Sequence, residues 1–170
     1  MADRQYNRIV QTTLKYRGVV IHQMSHLEKA LDTYIAHYLT DNNEVKISEM
    51  QLLIFGDNRM TMESKRQIFH YIAQHHDNWW YKNYKPVREV ESKKGSVLMN
   101  KDLTWVIEQR NVFAHCIPDT RYEAYLETDS VGFLKFKDKE ERIQFTQDEF
   151  NILELTILNL VNYFMHRNNI

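Results

Sequence analysis

Apolar residues recur at steps of three and four between about residues 4 and 39. Tyr16, Val20, Met24, Leu27, Leu31, Ile35 and Tyr38 share one stripe, which predicts a single long helix with one buried face. Gly18 lies inside it and weakens a helix without having to break it. The polar run TDNNE, 40–44, ends the pattern. Ser48 followed three residues later by Gln51 forms a capping box before MQLLIF, so a short helix is expected from there, closed by Gly56, Asp57 and Asn58. A third helix is expected over about 61–77 with Ile68, Phe69 and Ile72 inward.

The stretch WWYKNYKPVREVESKKGSVLMN has no helical period and contains Pro86 and Gly95. It reads as a long connection, a feature uncommon in compact domains and often functional. A fourth helix is expected over about 101–116, stopping near Ile117 because Pro118 disfavours helical geometry in the residue before it. From Arg121 to Thr146 apolar and polar residues alternate, with Asp129-Ser130 and Asp138-Lys139 at the turns. That predicts an antiparallel hairpin or three-stranded meander over about 121–146. Thr146 and Glu149 form another capping box, opening a last helix to about 167 that is apolar nearly all round. Such a helix belongs at the centre of a bundle or in a subunit interface. The sum is a mainly α chain: a bundle of about five helices with a small β insertion before the last, in a single domain over 1–170.

Composition agrees. Four glycines and two prolines in 170 residues favour long uninterrupted elements. The net charge of −1 gives no global attraction for a polyanion, so any nucleic-acid binding must come from a local patch. A single cysteine, Cys116, excludes an internal disulfide and suits a reducing compartment. The N-terminus lacks a charged-then-apolar signal pattern and no apolar run reaches spanning length, so a cytoplasmic protein with no membrane association is expected.

Chemistry concentrates in the fourth helix. Thr104, Glu108, Asn111 and His115 fall on one narrow stripe of a helix that is otherwise largely apolar. Asn111 and His115 are neighbours at a spacing of four, whereas Arg110 points about 140° from His115. Its long side chain can swing back, or meet the same stripe of a second protomer. His115 lies in the last turn of that helix.

Arg110-Asn111-Val112-Phe113-Ala114-His115 resembles the R-x4-6-H motif of HEPN domains, with the polar residue after arginine that many members carry. The order of elements is similar as well: a long first helix, the motif near the end of a late helix, and another long helix after it. The resemblance implies a helical bundle, a homodimer with two motifs facing one cleft, and a metal-independent endoribonuclease that needs no cofactor. It sets the chain among toxin–antitoxin, abortive-infection and RNA-degrading defence systems. It makes Arg110 and His115 the catalytic pair and Asn111 an auxiliary polar residue, with Glu108 and Thr104 as possible support. Members that pair with nucleotidyltransferase-like antitoxins usually carry tyrosine two residues after the histidine; Ile117 stands there, so that antitoxin is not assigned, though some antitoxin protein remains a possible partner. The insertion lies outside the simplest bundle.

The chemistry stands on its own terms too. RNA supplies its own nucleophile, the 2′-OH. An imidazole can take its proton or protonate the leaving oxygen, and a guanidinium can hold the negative charge gathering on phosphorus. The competing class is a HEPN-like interaction module, dimeric or nucleotide- or RNA-binding, that keeps the motif and cuts nothing.

The remaining candidates carry two readings each. Lys82, Lys85, Arg88, Lys93 and Lys94 lie beside Trp79 and Trp80, and residues 82–101 hold six basic side chains against two acidic ones. Basic residues interleaved with aromatics suit single-stranded RNA; alternatively the aromatics anchor the connection and the lysines are solvated. His22 and His26, four apart on the first helix, can ligate a metal, but no third ligand is spaced to join them. A solvated or dimer-facing pair is the reading favoured here. His75 and His76 mark a helix end. Cys116 adjoins His115 but diverges from it, so it reads as a small buried thiol. No set of carboxylates and histidines suits a metal-binding bundle.

Overall fold

The computed structural model describes residues 2–57, 59–91, 96–121, 130–136 and 139–168. Helix α1 spans Ala2–Thr40. Tyr16, Val20, Met24, Leu27, Leu31 and Ile35 are buried along one side, as their spacing predicts, while Tyr38 is exposed. Asp41 and Asn42 take left-handed backbone angles (φ 51° and 60°) and stop the helix, a conformation that short polar side chains tolerate.

Helix α2 spans Glu44–Met50 and runs into a π-turn, Gln51–Phe55. The expected start at Ser48 is therefore corrected. Asn43 already offers a cap, its side chain accepting from the Lys46 N–H at 3.1 Å, so Ser48 sits inside a turn that has begun. Gly56 does close the segment. A Cβ there would lie 2.9 Å from the Leu52 carbonyl oxygen, so the close approach is what demands glycine.

Helix α3 spans Met62–His76, with Thr61 capping Ser64 N–H at 3.1 Å. Phe69 and Ile72 are buried and Ile68 packs at the edge of the core. Lys65 is buried too, its ammonium donating to Glu28 (2.7 Å), Asp32 (2.9 Å) and the Phe55 carbonyl (3.2 Å). These carboxylates outweigh burial and keep Lys65 charged, while burial lifts the Asp32 carboxyl to about 6.

The connection after α3 is not wholly irregular. Asn78–Lys82 forms a short helix, α4, because its aromatics find partners on the bundle: Tyr81 is fully buried and Trp80 stacks between Tyr34 and Tyr163 at 5.5 and 4.9 Å. Helix α5 spans Leu98–His115, one turn earlier than its sequence suggests. Val97 caps it without a side-chain bond, and the buried Met99 fixes the extra turn by packing.

Strands β1 (Ile117–Pro118), β2 (Ser130–Phe136) and β3 (Glu140–Thr146) form an antiparallel sheet in that order. Ser130 opens β2 rather than lying in a turn; Asp129 and Asp138 lie outside the described residues. Helix α6 spans Gln147–Asn168. Its capping box forms as its sequence requires: Thr146 Oγ1 accepts from Glu149 N–H at 3.2 Å, and Glu149 accepts from Thr146 N–H at 2.8 Å.

Helices α1 and α6 run parallel. Tyr16 meets Gln147 and Phe150, Gln23 meets Glu154, and Tyr34 meets Phe164. One continuous apolar core joins α1, α3, α5, α6 and the sheet. Its sheet end is aromatic, with Phe113 of α5 against Phe133, Phe145 and Phe150 at 5.0, 4.6 and 6.3 Å. The apolar circumference of α6 is only half used: Ile152, Leu155, Leu158 and Met165 remain exposed. Among the described residues no helix is long and apolar enough to cross a membrane.

Candidate active site

The site forms where α5 ends. Cys116 leaves the helix in an extended conformation (φ −79°, ψ 149°), one residue ahead of Ile117, where Pro118 disfavours helical geometry, and its N–H closes the last turn on Val112 O at 3.0 Å. Arg17 of α1 donates to the Cys116 carbonyl, and its guanidinium lies 5.4 Å from the Phe133 ring centre. A cation on the last carbonyls complements the helix dipole and pins this end of α5 to α1 and the sheet. His115 is thereby held at the surface on a fixed support.

Beside it lies a groove of about 930 Å³ between α5 and the sheet. From α5 it receives Glu108, Gln109, Asn111, Val112 and His115; Cys116 and Ile117 form its end. Its opposite wall is Leu134, Lys135 and Phe136 of β2 with Glu141 and Ile143 of β3. The groove is amphipathic, polar along the helix and partly apolar along the sheet, as ligand clefts commonly are.

Three of the predicted residues, Glu108, Asn111 and His115, meet on this groove. Arg110 does not line it. The guanidinium reaches back instead, Nη1 donating to Asn111 Oδ1 at 3.2 Å, so it approaches the stripe from outside. Thr104 is two turns away, and its hydroxyl donates to Asn100 O at 2.9 Å within the helix. The arrangement offers an exposed imidazole, an amide that can orient a phosphate oxygen, and a guanidinium tied to that amide. These are the groups a phosphodiester transfer requires.

The basic and aromatic connection divides. Trp79, Lys82 and Lys85 are exposed. Trp80 is stacked on the bundle, and Arg88 donates to Asp102 at 2.7 Å with its guanidinium 4.3 Å from the Trp105 ring centre. Lys93 and Lys94 lie outside the described residues. Asp102 is fully buried and also accepts from Tyr84 at 2.8 Å, while Asn159 donates to Tyr84 Oη at 2.9 Å. Burial, then the facing carboxylate, push the Tyr84 phenol far above its ordinary range. This network was missed in the sequence, although Asp102 beside Leu103, on the buried stripe of Met99 and Val106, was a signal.

His22 and His26 meet through Nε2 at 3.3 Å on the exposed side of α1. Among the described residues no group of three or more His, Cys, Asp or Glu is placed to hold a metal ion. His75 and His76 end α3, and Cys116 is half-buried. Gln109, Lys135, Phe136 and Glu141 were not singled out from sequence. Alternation predicted the strands of the last three but could not say which helix those strands would face. No protein-family model, curated protein or solved structure matches the chain, so the account of the site rests on its own residues.

Proposed function

We propose that the protein is a metal-independent endoribonuclease of the HEPN type, acting in the cytoplasm within a toxin–antitoxin or defence system. The observation that carries this is His115, exposed on the groove beside Asn111, with Arg110 hydrogen-bonded to that same Asn111. In the reaction the 2′-oxygen attacks phosphorus and the bond to the 5′-oxygen breaks. One imidazole accepts the 2′-proton and a proton is returned to the leaving oxygen. Arg110 and Asn111 hold the charge on the non-bridging oxygens. The products are a 2′,3′-cyclic phosphate and a 5′-OH.

The reading includes a homodimer. Arg110 flanks the groove instead of lining it, and α6 leaves Leu155, Leu158 and Met165 exposed, both of which favour a second copy. Light scattering at micromolar concentration is expected to give about twice the 20.6 kDa chain mass. The second reading, a dimeric interaction module that cuts nothing, draws on the same apolar face. An RNA carrying one 2′-O-methyl group separates them. Cleavage is expected everywhere except at the bond 3′ to that nucleotide; a protein that leaves all bonds intact is the module.

A further inference from the structure

The rungs of the β2–β3 ladder pair Val131 with Phe145, Phe133 with Ile143, and Lys135 with Glu141. Alternation puts all six on one face of the sheet. The first two rungs end in the core: Phe133 and Phe145 both pack on Phe113 of α5. The third runs past the core and reaches the groove that His115 and Asn111 line from the other side. An apolar rung would continue the packing; an ionic one does not. Phe136, the next residue and the last of β2, belongs to the opposite face by the same alternation, yet at the strand's end it also borders the groove and is 62% exposed. A large aromatic left in water at a hairpin end contributes little to folding. It offers a flat face to a ligand. Among the described residues that line the groove Lys135 is also the one lysine or arginine, because Arg110 stands outside it.

We propose that the tip of the sheet is the nucleotide-binding wall of the site: Phe136 stacks an unpaired base, and Lys135 holds a phosphate of the same strand, beside the bond presented to His115. The inference rests on single-stranded RNA being what the groove receives. It adds two residues and an orientation. Glu141 faces Lys135 across the ladder and limits where its ammonium can reach. Glu108, one turn before Asn111 on the helix wall, repels phosphate, so the backbone crosses from Lys135 on the sheet to Asn111 and His115 at the helix end, and the Glu108 part of the groove is left to base edges, where a carboxylate accepts from an exocyclic amino group. Stacking tolerates any base, whereas Gln109 and Glu108 supply what sequence preference there is.

The test separates binding from cutting. A fluorescent single-stranded RNA made wholly of 2′-O-methyl nucleotides cannot supply the nucleophile, and its anisotropy reports binding alone. Full-length protein is compared with Phe136→Ala, Lys135→Glu and Lys135→Arg. Both positions are exposed, and a thermal melt checks that each variant keeps the fold. Phe136→Ala should weaken binding roughly 5- to 100-fold, the range for loss of one stacked base. Lys135→Glu should weaken it at least about tenfold. Lys135→Arg should stay close to wild type, and Lys135→Glu should flatten the slope of log K against log salt by about 0.7 or more. Wild-type affinity in folded Phe136→Ala and Lys135→Glu overturns the proposal, as does failure of the wild type to bind. Cleavage of ordinary RNA that His115→Ala abolishes is scored separately. Cutting with unaltered variant binding removes the wall and keeps the ribonuclease; variant-sensitive binding without cutting does the reverse.

Discussion

The two ends of α5 put polar groups on an apolar helix in opposite ways. At the N-terminal end Asp102 is fully buried and saturated: Tyr84 and Arg88 donate to it, Asn159 steadies Tyr84, and Arg88 lies over Trp105. At the C-terminal end Asn111 and His115 are exposed on an open groove, and among the described residues the Arg110 guanidinium donates to Asn111 alone. A buried carboxylate must be neutralised where it stands, so its network fixes the connection from α4 to α5. An exposed imidazole on a rigid helix end bears no such burden and is left for chemistry. The same types of residue therefore divide by burial into support and site, and that division can be broken experimentally.

The largest effect is expected at the support. Asp102→Ala leaves the Arg88 cation and the Tyr84 hydroxyl without their partner, and should cost about 3–5 kcal/mol of stability by urea denaturation. A loss under about 1 kcal/mol would mean that the network is not what holds the connection. Next is the neighbouring pair of tryptophans. Trp80→Ala removes a ring stacked on Tyr34 and Tyr163 and should cost on the order of 2–4 kcal/mol. Trp79→Ala, at an 80% exposed position, should change stability by no more than about 0.5 kcal/mol. If Trp79→Ala weakens RNA binding and leaves the melt untouched, the connection is a second RNA contact at the other end of the bundle from the groove; if the two tryptophans cost the same, the contrast between support and surface fails.

A smaller effect concerns pH. Burial raises Asp32 from 3.8 to about 6. The native state therefore holds that proton more tightly than the unfolded chain does. Its contribution is complete below about pH 4 and disappears as the pH rises through 6. Wild type measured against Asp32→Asn should lose on the order of 2 kcal/mol between pH 4 and 7. A constant difference across that range would show that Lys65 offsets both burial and the neighbouring Glu28 carboxylate, so that Asp32 ionises without cost.

Long elements were legible in the sequence because periodicity and caps agreed. The seven-residue stripe of α1 and the Thr146–Glu149 box of α6 specified helices that formed almost to the residue. Ser48 misled because a capping-box pattern is local, and Asn43 caps an earlier turn. Helix α4 was hidden since no periodicity exists in five residues; Trp80 and Tyr81 fold it by packing on Tyr34, Tyr163 and Phe69, which are distant in sequence. The same limit applies at the site. Glu108, Asn111 and His115 share a stripe that any helical wheel shows. Their opposite wall comes from a sheet whose alternation does not reveal its neighbour, and Arg17, which pins the helix end, comes from ninety-nine positions away.

If the proposed function is right, the open end of α5 cuts RNA and His115 is the group that a single comparison must isolate. Wild-type protein and His115→Ala are incubated with RNA and with DNA of the same sequence in excess EDTA, after thermal melts confirm that both are folded. The wild type should give RNA fragments ending in 2′,3′-cyclic phosphate and leave DNA intact, and His115→Ala should lose about 10²- to 10⁴-fold in rate at unchanged melting temperature. Equal cleavage of RNA by folded His115→Ala, or efficient cutting of DNA, would contradict the proposed function.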